Sequence, residues 1–235
     1  MLKNIDSIPE VLKQQPNWVV WGVPGEFRKV PFNPKSLLKF KSDPAKSGVS
    51  DTWGSFENAA LCVARGLACG IGYEFGGCGI YGVDLDHVIG DNGEITPQAW
   101  EIVDGLASYT EVSPSGHGLH IFVTADTVNI TRHRKQGGFV EIYTNARYFT
   151  VTGNVYGGYD RIAHRPAELQ QIHDRYLLPQ PPLMALTSKT VTPAYSVESP
   201  PSAPDYLRRG LKKDPVLRAC WNGERRCGVP GLFSV

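Results

Sequence analysis

The sequence predicts an α+β fold with a largely antiparallel sheet. Short apolar segments that alternate with polar residues recur through the chain, which is typical of half-buried strands. Helical patterns interrupt them without the strict strand–helix alternation of a doubly wound fold. Of the 235 residues, 41% are hydrophobic and 20% are charged, which is ordinary globular usage and excludes global disorder.

Each element follows from a local signal. Helices are predicted where apolar residues recur at helical spacing behind a capping residue or a proline, at 8–15, 55–65, 96–106 and 167–176. Strands are predicted where β-branched and aromatic residues cluster between turn residues, at 18–23, 28–32, 70–75, 79–84, 109–112, 118–123, 139–143 and 148–152. The first two strands are expected to pair across Pro24–Gly25, and the next two are joined by Gly76–Gly77.

The composition changes after residue 178. Residues 1–178 show regular periodicity, whereas 179–204 contain seven prolines and two charges, as expected of an extended linker. A basic tail follows at 205–235, and within 205–226 seven basic residues outnumber three acidic ones. The net charge of the whole chain is only +1, which excludes a simple polycationic nucleic-acid coat but allows a local basic track.

The cysteines and the apolar runs indicate the compartment. No run is long enough for a signal peptide or a membrane span. The five cysteines show no disulfide framework, and Cys62, Cys69 and Cys78 are expected to be buried free thiols. Cys220 and Cys227 lack the second ligand pair of a zinc site. A reducing cytoplasm fits this usage.

Two aspartates lie at the end of a predicted strand. Asp84 and Asp86 alternate with Val83 and Leu85, so both carboxylates point to the same face. Two carboxylates this close repel each other unless a cation lies between them, and Mg²⁺ or Mn²⁺ prefers such oxygen ligands. A solvated strand end has the same pattern, so the pair alone does not establish a metal site.

A Gly- and Ser-rich turn leads into another predicted strand. It contains Ser113, Ser115 and His117, and the strand beyond it carries His120. Backbone N–H groups in such turns bind phosphate oxygens, and a histidine adds a donor. A hairpin turn with one hydrogen-bonded histidine is the alternative interpretation.

A third strand carries Glu141 between Val140 and Ile142. If the three strands share one sheet, Asp84, Asp86, His120 and Glu141 converge on one face. Ordinary polar outer faces would produce the same pattern.

Basic residues accompany these motifs. Arg134 lies in the cationic segment 131–135, Arg147 precedes the strand at 148–152, and Lys29 lies in the second predicted strand. A cationic loop beside carboxylates suits a triphosphate or a nucleic-acid backbone, although solvated basic loops are common.

The order of these motifs resembles the archaeo-eukaryotic primase superfamily, and it looks most like the primase-polymerase domains of phage and plasmid replication proteins. The motifs are the aspartate pair within 83–86, S-P-S-G-x-G-L-H at 113–120, h-E-h-Y at 140–143 and R-Y-F-T-x-T-G at 147–153. The similarity covers about residues 8–178. It implies an RRM-like catalytic core beside a second α/β unit, with 1–178 as the catalytic domain.

The resemblance also implies roles for the residues. Asp84, Asp86 and Glu141 correspond to the carboxylates that hold two divalent ions for nucleotidyl transfer, as Mg²⁺ or Mn²⁺. His120 is the preferred candidate for the nucleotide-contacting histidine, with His117 as the other. Ser113 or Ser115, and Arg134 or Arg147, are expected to bind phosphates, and Lys29 is a further candidate for nucleotide binding.

The predicted function is that of a DNA primase, a DNA polymerase or both, acting on a single-stranded template with dNTPs or NTPs in phage or plasmid-type replication. A metal-dependent nuclease and a non-catalytic single-stranded-DNA-binding initiator module are the alternatives. The tail at 205–235 resembles the start of a helical module and is expected to be truncated. The resemblance implies a replicative helicase, in trans or in a longer protein, as a further partner. No membrane partner is expected, and the resemblance implies the cytoplasm of a bacterial, archaeal or phage-infected cell.

Overall fold

A computed structural model describes residues 4–25 and 29–179. The described residues lie within one unit, Met1–Leu183. Apart from Pro179, the predicted linker at 179–204 and the basic tail at 205–235 lie outside the described residues, as does Arg28 of the second predicted strand.

The helices are short. They are α1 (Glu10–Lys13), α2 (Pro34–Leu37), α3 (Phe56–Ala64), α4 (Pro97–Leu106) and α5 (Pro166–Ile172), with a 3₁₀ turn at Ser50–Thr52 and a π-helical turn at His173–Leu177. Helices α3 and α4 begin at their predicted caps, whereas the first begins at Glu10 behind Pro9, two residues later than predicted. The Ser55 and Thr96 side chains accept hydrogen bonds from the backbone N–H groups of α3 and α4, which fixes both starts. No helix within 4–25 or 29–179 is long and apolar enough to cross a bilayer.

Within the described residues, eight strands form two sheets. They are β1 (Trp18–Trp21), β2 (Gly70–Gly76), β3 (Ile80–Leu85), β4 (Thr110–Val112), β5 (Leu119–Thr124), β6 (Val140–Tyr143), β7 (Asn145–Val151) and β8 (Ala163–His164). The first sheet has the order β1-β2-β7, and the second has the order β4-β5-β3-β6. All these pairs are antiparallel, and β8 adds a short parallel pair to β5.

The two faces of the second sheet have different partners. Val83, Leu85, Leu119 and Ile121 point to one face and pack with the apolar side of α4 and α5 in one buried cluster. Phe122, on the opposite face, packs with the aromatic side chains of the first sheet in the other cluster. The second sheet therefore has a helix-covered face and a face that meets the first sheet.

Close approach of the two sheets depends on Gly82 in β3. A Cβ atom there would lie 2.2 Å from Cζ of Phe75 and 2.5 Å from Cε2 of Phe149. Only a residue without a side chain allows the two phenyl rings to cross β3 at this height.

The predicted α+β class with antiparallel sheets is confirmed. Four features of the structure differ from the prediction. First, β2 and β3 are consecutive but do not form a hairpin, because β1 and β7 occupy both edges of β2 while β5 and β6 occupy both edges of β3. Second, the described part of the predicted strand at 28–32 reduces to two isolated bridges, which Phe32 forms with Val20 and with Pro44.

The third difference concerns elements that the sequence does not signal. The short α2, the 3₁₀ turn and the two-residue β8 are too brief to produce a period. Fourth, the burial expected of all three cysteines is wrong for two of them. Cys62 is buried under α2, whereas Cys69 and Cys78 lie in exposed turns.

Candidate active site

Four polar side chains form one row across the second sheet. In the strand register, Glu111 of β4 pairs with His120 of β5, His120 pairs with Asp84 of β3, and Asp84 pairs with Glu141 of β6. Residues directly opposite in adjacent strands lie on the same face. The structure therefore brings Asp84, His120 and Glu141 together as the alternation predicts, and it adds Glu111 to the row.

Asp84 is the centre of this row. Its side chain is 15% exposed, and its Oδ1 lies 3.8 Å from Nε2 of His120. The pKa of Asp84 is raised to about 6, chiefly by burial and to a smaller extent by the charges of Asp86 and Glu141, against the lowering effect of His120 and Arg147. Burial is therefore the main reason why the ionised form of this carboxylate is destabilised.

Glu141 is held by groups on its own side of the sheet. The hydroxyl of Tyr143 donates a hydrogen bond of 2.6 Å to its Oε2, and Nη2 of Arg147 lies 4.0 Å from the same oxygen. The Arg147 guanidinium also lies over the Tyr143 ring, 5.0 Å from its centroid. These contacts fix one carboxylate oxygen of Glu141 and leave the other for further interactions.

The cationic segment follows the outer edge of β6. Arg134 forms a single antiparallel bridge with Glu141, and the backbone N–H of Ile142 donates to the His133 carbonyl. Arg132, Arg134 and Lys135 are exposed beside this edge. The predicted proximity of the cationic loop to the carboxylates is therefore present in the structure.

The two candidate histidines have different environments. His120 is 6% exposed, and its ring stacks on Phe149 with centroids 4.7 Å apart. His117 is exposed in the turn, where its Nδ1 lies 3.3 Å from the Ile89 carbonyl oxygen. The Ser113 and Ser115 hydroxyls hydrogen-bond to each other at 3.0 Å in the same turn. Only His120 belongs to the row.

A cavity of about 390 Å³ opens beside the row, between the second sheet and β7. Its lining includes four of the predicted site residues, namely Lys29, Asp84, His120 and Arg147. The rest of the lining consists of Pro31, Ser47, Ala146, Tyr148, Phe149 and Thr150. Asp86, Ser113, Ser115, His117, Arg134 and Glu141 are not part of the lining. This volume and the mixture of cationic, polar and aromatic walls suit a nucleotide-sized ligand.

The donor set fits a hard divalent cation in type. Asp84, Asp86 and Glu141 supply carboxylate oxygens, and the charges of Asp86 and Glu141 contribute, after burial, to the raised pKa of Asp84. As the side chains stand, no three His, Cys, Asp or Glu residues of the described chain gather closely enough to hold an ion. An ion held there would require rotation of side chains such as Asp86, which is exposed one residue beyond β3.

Sequence reasoning missed Glu111 and most of the cavity wall. Glu111 alternates with Thr110 and Val112 as the other carboxylates do with their neighbours, so its strand pattern was the available signal. Ser47 and Tyr148 come from segments that reach the cavity only through tertiary packing, and no local pattern marks them.

The chain contains a phage-type primase-polymerase domain, as the order of its motifs predicts. The similarity is to the DNA primase-polymerase of Nitratiruptor phage NrS-1, which is 32% identical over 168 residues. That match covers 69% of this chain and 22% of the relative, so the chain corresponds to about a fifth of the relative's length. No family model matches the chain.

Proposed function

We propose that this domain is a template-directed nucleotidyltransferase, acting as a DNA primase, a DNA polymerase or both in phage or plasmid-type DNA replication. One observation carries the proposal. The row of Asp84, His120 and Glu141 lies in register beside a cavity that also has cationic and aromatic walls. The relative's name, a DNA primase-polymerase, supports the same reaction.

The cavity is proposed to bind the incoming nucleoside triphosphate, as a dNTP or an NTP. Lys29 and Arg147 are the cations of its lining and would face the phosphates. His120 presents Nε2 next to Asp84 and would donate a hydrogen bond to a phosphate oxygen. Tyr148 and Phe149 supply aromatic surface for the sugar and base.

Asp84, Asp86 and Glu141 would hold two divalent ions, as Mg²⁺ or Mn²⁺. When bound, such ions lower the pKa of an attacking 3′-hydroxyl and neutralise charge on the triphosphate and departing pyrophosphate. The chain's own contribution is to orient the ligands. Tyr143 and Arg147 fix one oxygen of Glu141, and burial beneath the first sheet limits the access of water to Asp84.

The template is proposed to follow the exposed cationic segment beside β6. Arg132, Arg134 and Lys135 lie along the edge next to Glu141, where they would contact phosphates of single-stranded DNA. Binding should then weaken as the salt concentration rises. A helicase module, in trans or in a longer protein, remains a proposal from the resemblance.

The test is incubation with a single-stranded template, labelled nucleotides and Mn²⁺ or Mg²⁺, with and without a primer. We expect nucleotide-dependent products, abolished by EDTA, by Asp84→Ala and by Asp86→Ala. Asp160→Ala is the matched control, because the side chain of that aspartate is 68% exposed and its Oδ1 lies 3.9 Å from Nε of its neighbour Arg161.

The products discriminate between functions. Products without a primer show priming, and products only with a primer show polymerase activity. Shortening of labelled DNA without nucleotides would indicate a nuclease and refute the proposal, as would DNA binding with no metal-dependent synthesis. Undiminished synthesis by both aspartate variants would refute the assigned site.

A further inference from the structure

Glu111 is a carboxylate buried completely among uncharged groups of its own strand and of the first sheet. Its side chain has no exposed surface. A buried carboxylate is costly unless hydrogen bonds or a cation compensate its charge. The groups that surround Glu111 therefore indicate why it is there.

Three donors hold Glu111 in one orientation. Its Oε2 accepts hydrogen bonds from the Tyr109 hydroxyl at 2.8 Å, the Gly153 N–H at 2.9 Å and the Thr152 N–H at 3.1 Å, and the Thr152 N–H also lies 3.0 Å from Oε1. Thr152 and Gly153 follow β7 directly, so Glu111 connects the second sheet to the end of the first. These are the last two residues of the motif at 147–153, for which the sequence alone indicates no separate role.

The remaining neighbour of Glu111 is His120. Oε1 lies 3.5 Å from Nδ1 of His120, and that nitrogen is buried without a hydrogen-bond partner in the described chain. A buried polar atom of this kind requires an explanation. Catalytic hydrogen bonds are often long without substrate, and an inward movement of a few tenths of an ångström would bring this pair into bonding range.

We propose that Glu111 is a positioning residue that holds the His120 ring through Nδ1 and so directs Nε2 towards the nucleotide cavity. In the imidazolium form both ring nitrogens are donors, so Nδ1–H can bond to Glu111 while Nε2–H faces the cavity and can donate to a phosphate oxygen. Phe149 stacks on the ring and limits its tilt, while Glu111 sets its rotation. The inference rests on the proposed function for its catalytic consequence, but the contact itself does not depend on it.

The direct test is ¹⁵N NMR of the histidine side chains in the full chain without nucleotide. Six histidines are present, and the His120 signals are those missing from His120→Gln. In the wild type we expect Nδ1 of His120 to carry a proton that is hydrogen-bonded to a carboxylate. Glu111→Gln keeps an acceptor for the two backbone N–H groups and should shift the His120 signals while the others stay in place.

The second test measures the dissociation constant of a fluorescent dATP analogue with Mn²⁺. Glu111→Gln should raise it about tenfold, as loss of a supporting contact to a site residue typically does. In the His120→Ala background the same substitution should have no further effect, because its action passes through the ring. Thr152→Val is the control: it removes the Thr152 hydroxyl bond to the Val112 carbonyl in the same turn without touching His120, and it should leave the affinity unchanged.

Each outcome decides the question. An unprotonated Nδ1 in the wild type would overturn the inference even if Glu111→Gln fails to fold, and so would unchanged His120 signals in the variant. If Thr152→Val raised the dissociation constant as much as Glu111→Gln does, the role of Glu111 would be only to hold the turn at 152–153, and the inference would be overturned. If the wild type makes no DNA but shows the Glu111-dependent His120 signals, the proposed function fails and the positioning role stands.

Discussion

Asp84→Asn should stabilise the domain in the absence of metal. Between unfolded and folded states the pKa of Asp84 rises from 3.8 to about 6, chiefly through burial. An acid whose pKa is higher in the folded state than in the unfolded state destabilises the fold as the pH rises from the lower to the higher value. For Asp84 this loss of unfolding free energy is complete above about pH 6. At about 1.4 kcal/mol per pKa unit, the ionised aspartate costs about 3 kcal/mol of unfolding free energy at pH 7.5.

Asparagine removes this charge at nearly constant size. In EDTA at pH 7.5 we expect the melting temperature to rise by about 6–12 °C, since about 1 kcal/mol corresponds to about 2–4 °C in a domain of this size. The gain should shrink at pH 4, where the wild-type aspartate is protonated in the folded state. Added Mg²⁺ should stabilise the wild type but not Asp84→Asn.

Differential scanning calorimetry at both pH values checks this reasoning. The exposed Asp160→Asn serves as the control and should change the melting temperature little. If Asp84→Asn melts at or below the wild-type temperature in EDTA at pH 7.5, or gains as much at pH 4, the raised pKa is not the source of the effect.

Three further changes test other contacts. Tyr143→Phe removes the donor to the β6 glutamate and should lower primer extension about tenfold, whereas Tyr159→Phe, which breaks a tyrosine–aspartate bond outside the row, should not. Gly82→Ala should lower the free energy of unfolding in urea by about 1–3 kcal/mol, because the added Cβ would clash with two phenyl rings. Gly105→Ala in α4 should raise it by about 0.5–1 kcal/mol, because no atom lies within 4 Å of the added Cβ. Burial raises the pKa of Cys62 to about 11, so iodoacetamide at pH 8 should label the two exposed cysteines of the described chain first, and peptide mass spectrometry should find Cys62 modified only after denaturation.

The row of Asp84, His120 and Glu141 was predictable because strand alternation is a local property. Asp84, His120 and Glu141 each alternate with apolar residues, so each side chain's face follows from its own strand. The remaining assumption was that the three strands share a sheet, and the register confirms it. The presence of α3 and α4 was predictable for a similar reason, since their caps are adjacent in sequence.

What could not be predicted depends on long-range pairing. Gly76–Gly77 resembles a hairpin connection, but the competition for strand edges is decided by β7. Its Val151 pairs with Ile71 of β2, which lies 80 residues earlier in the chain. Glu111 was overlooked because a glutamate in a three-residue strand has the pattern of a surface residue. Its burial arises only when Thr152 and Gly153 fold over it.

The late position of β7 also affects how the domain forms during synthesis. β1 and β2 lack their third strand until residues 145–151 have emerged, and the same segment supplies one wall of the cavity. Contacts so distant in sequence form slowly and leave an unpaired edge on the nascent chain. A chain interrupted anywhere before Asn145 would therefore lack the third strand of the first sheet and one wall of the cavity together.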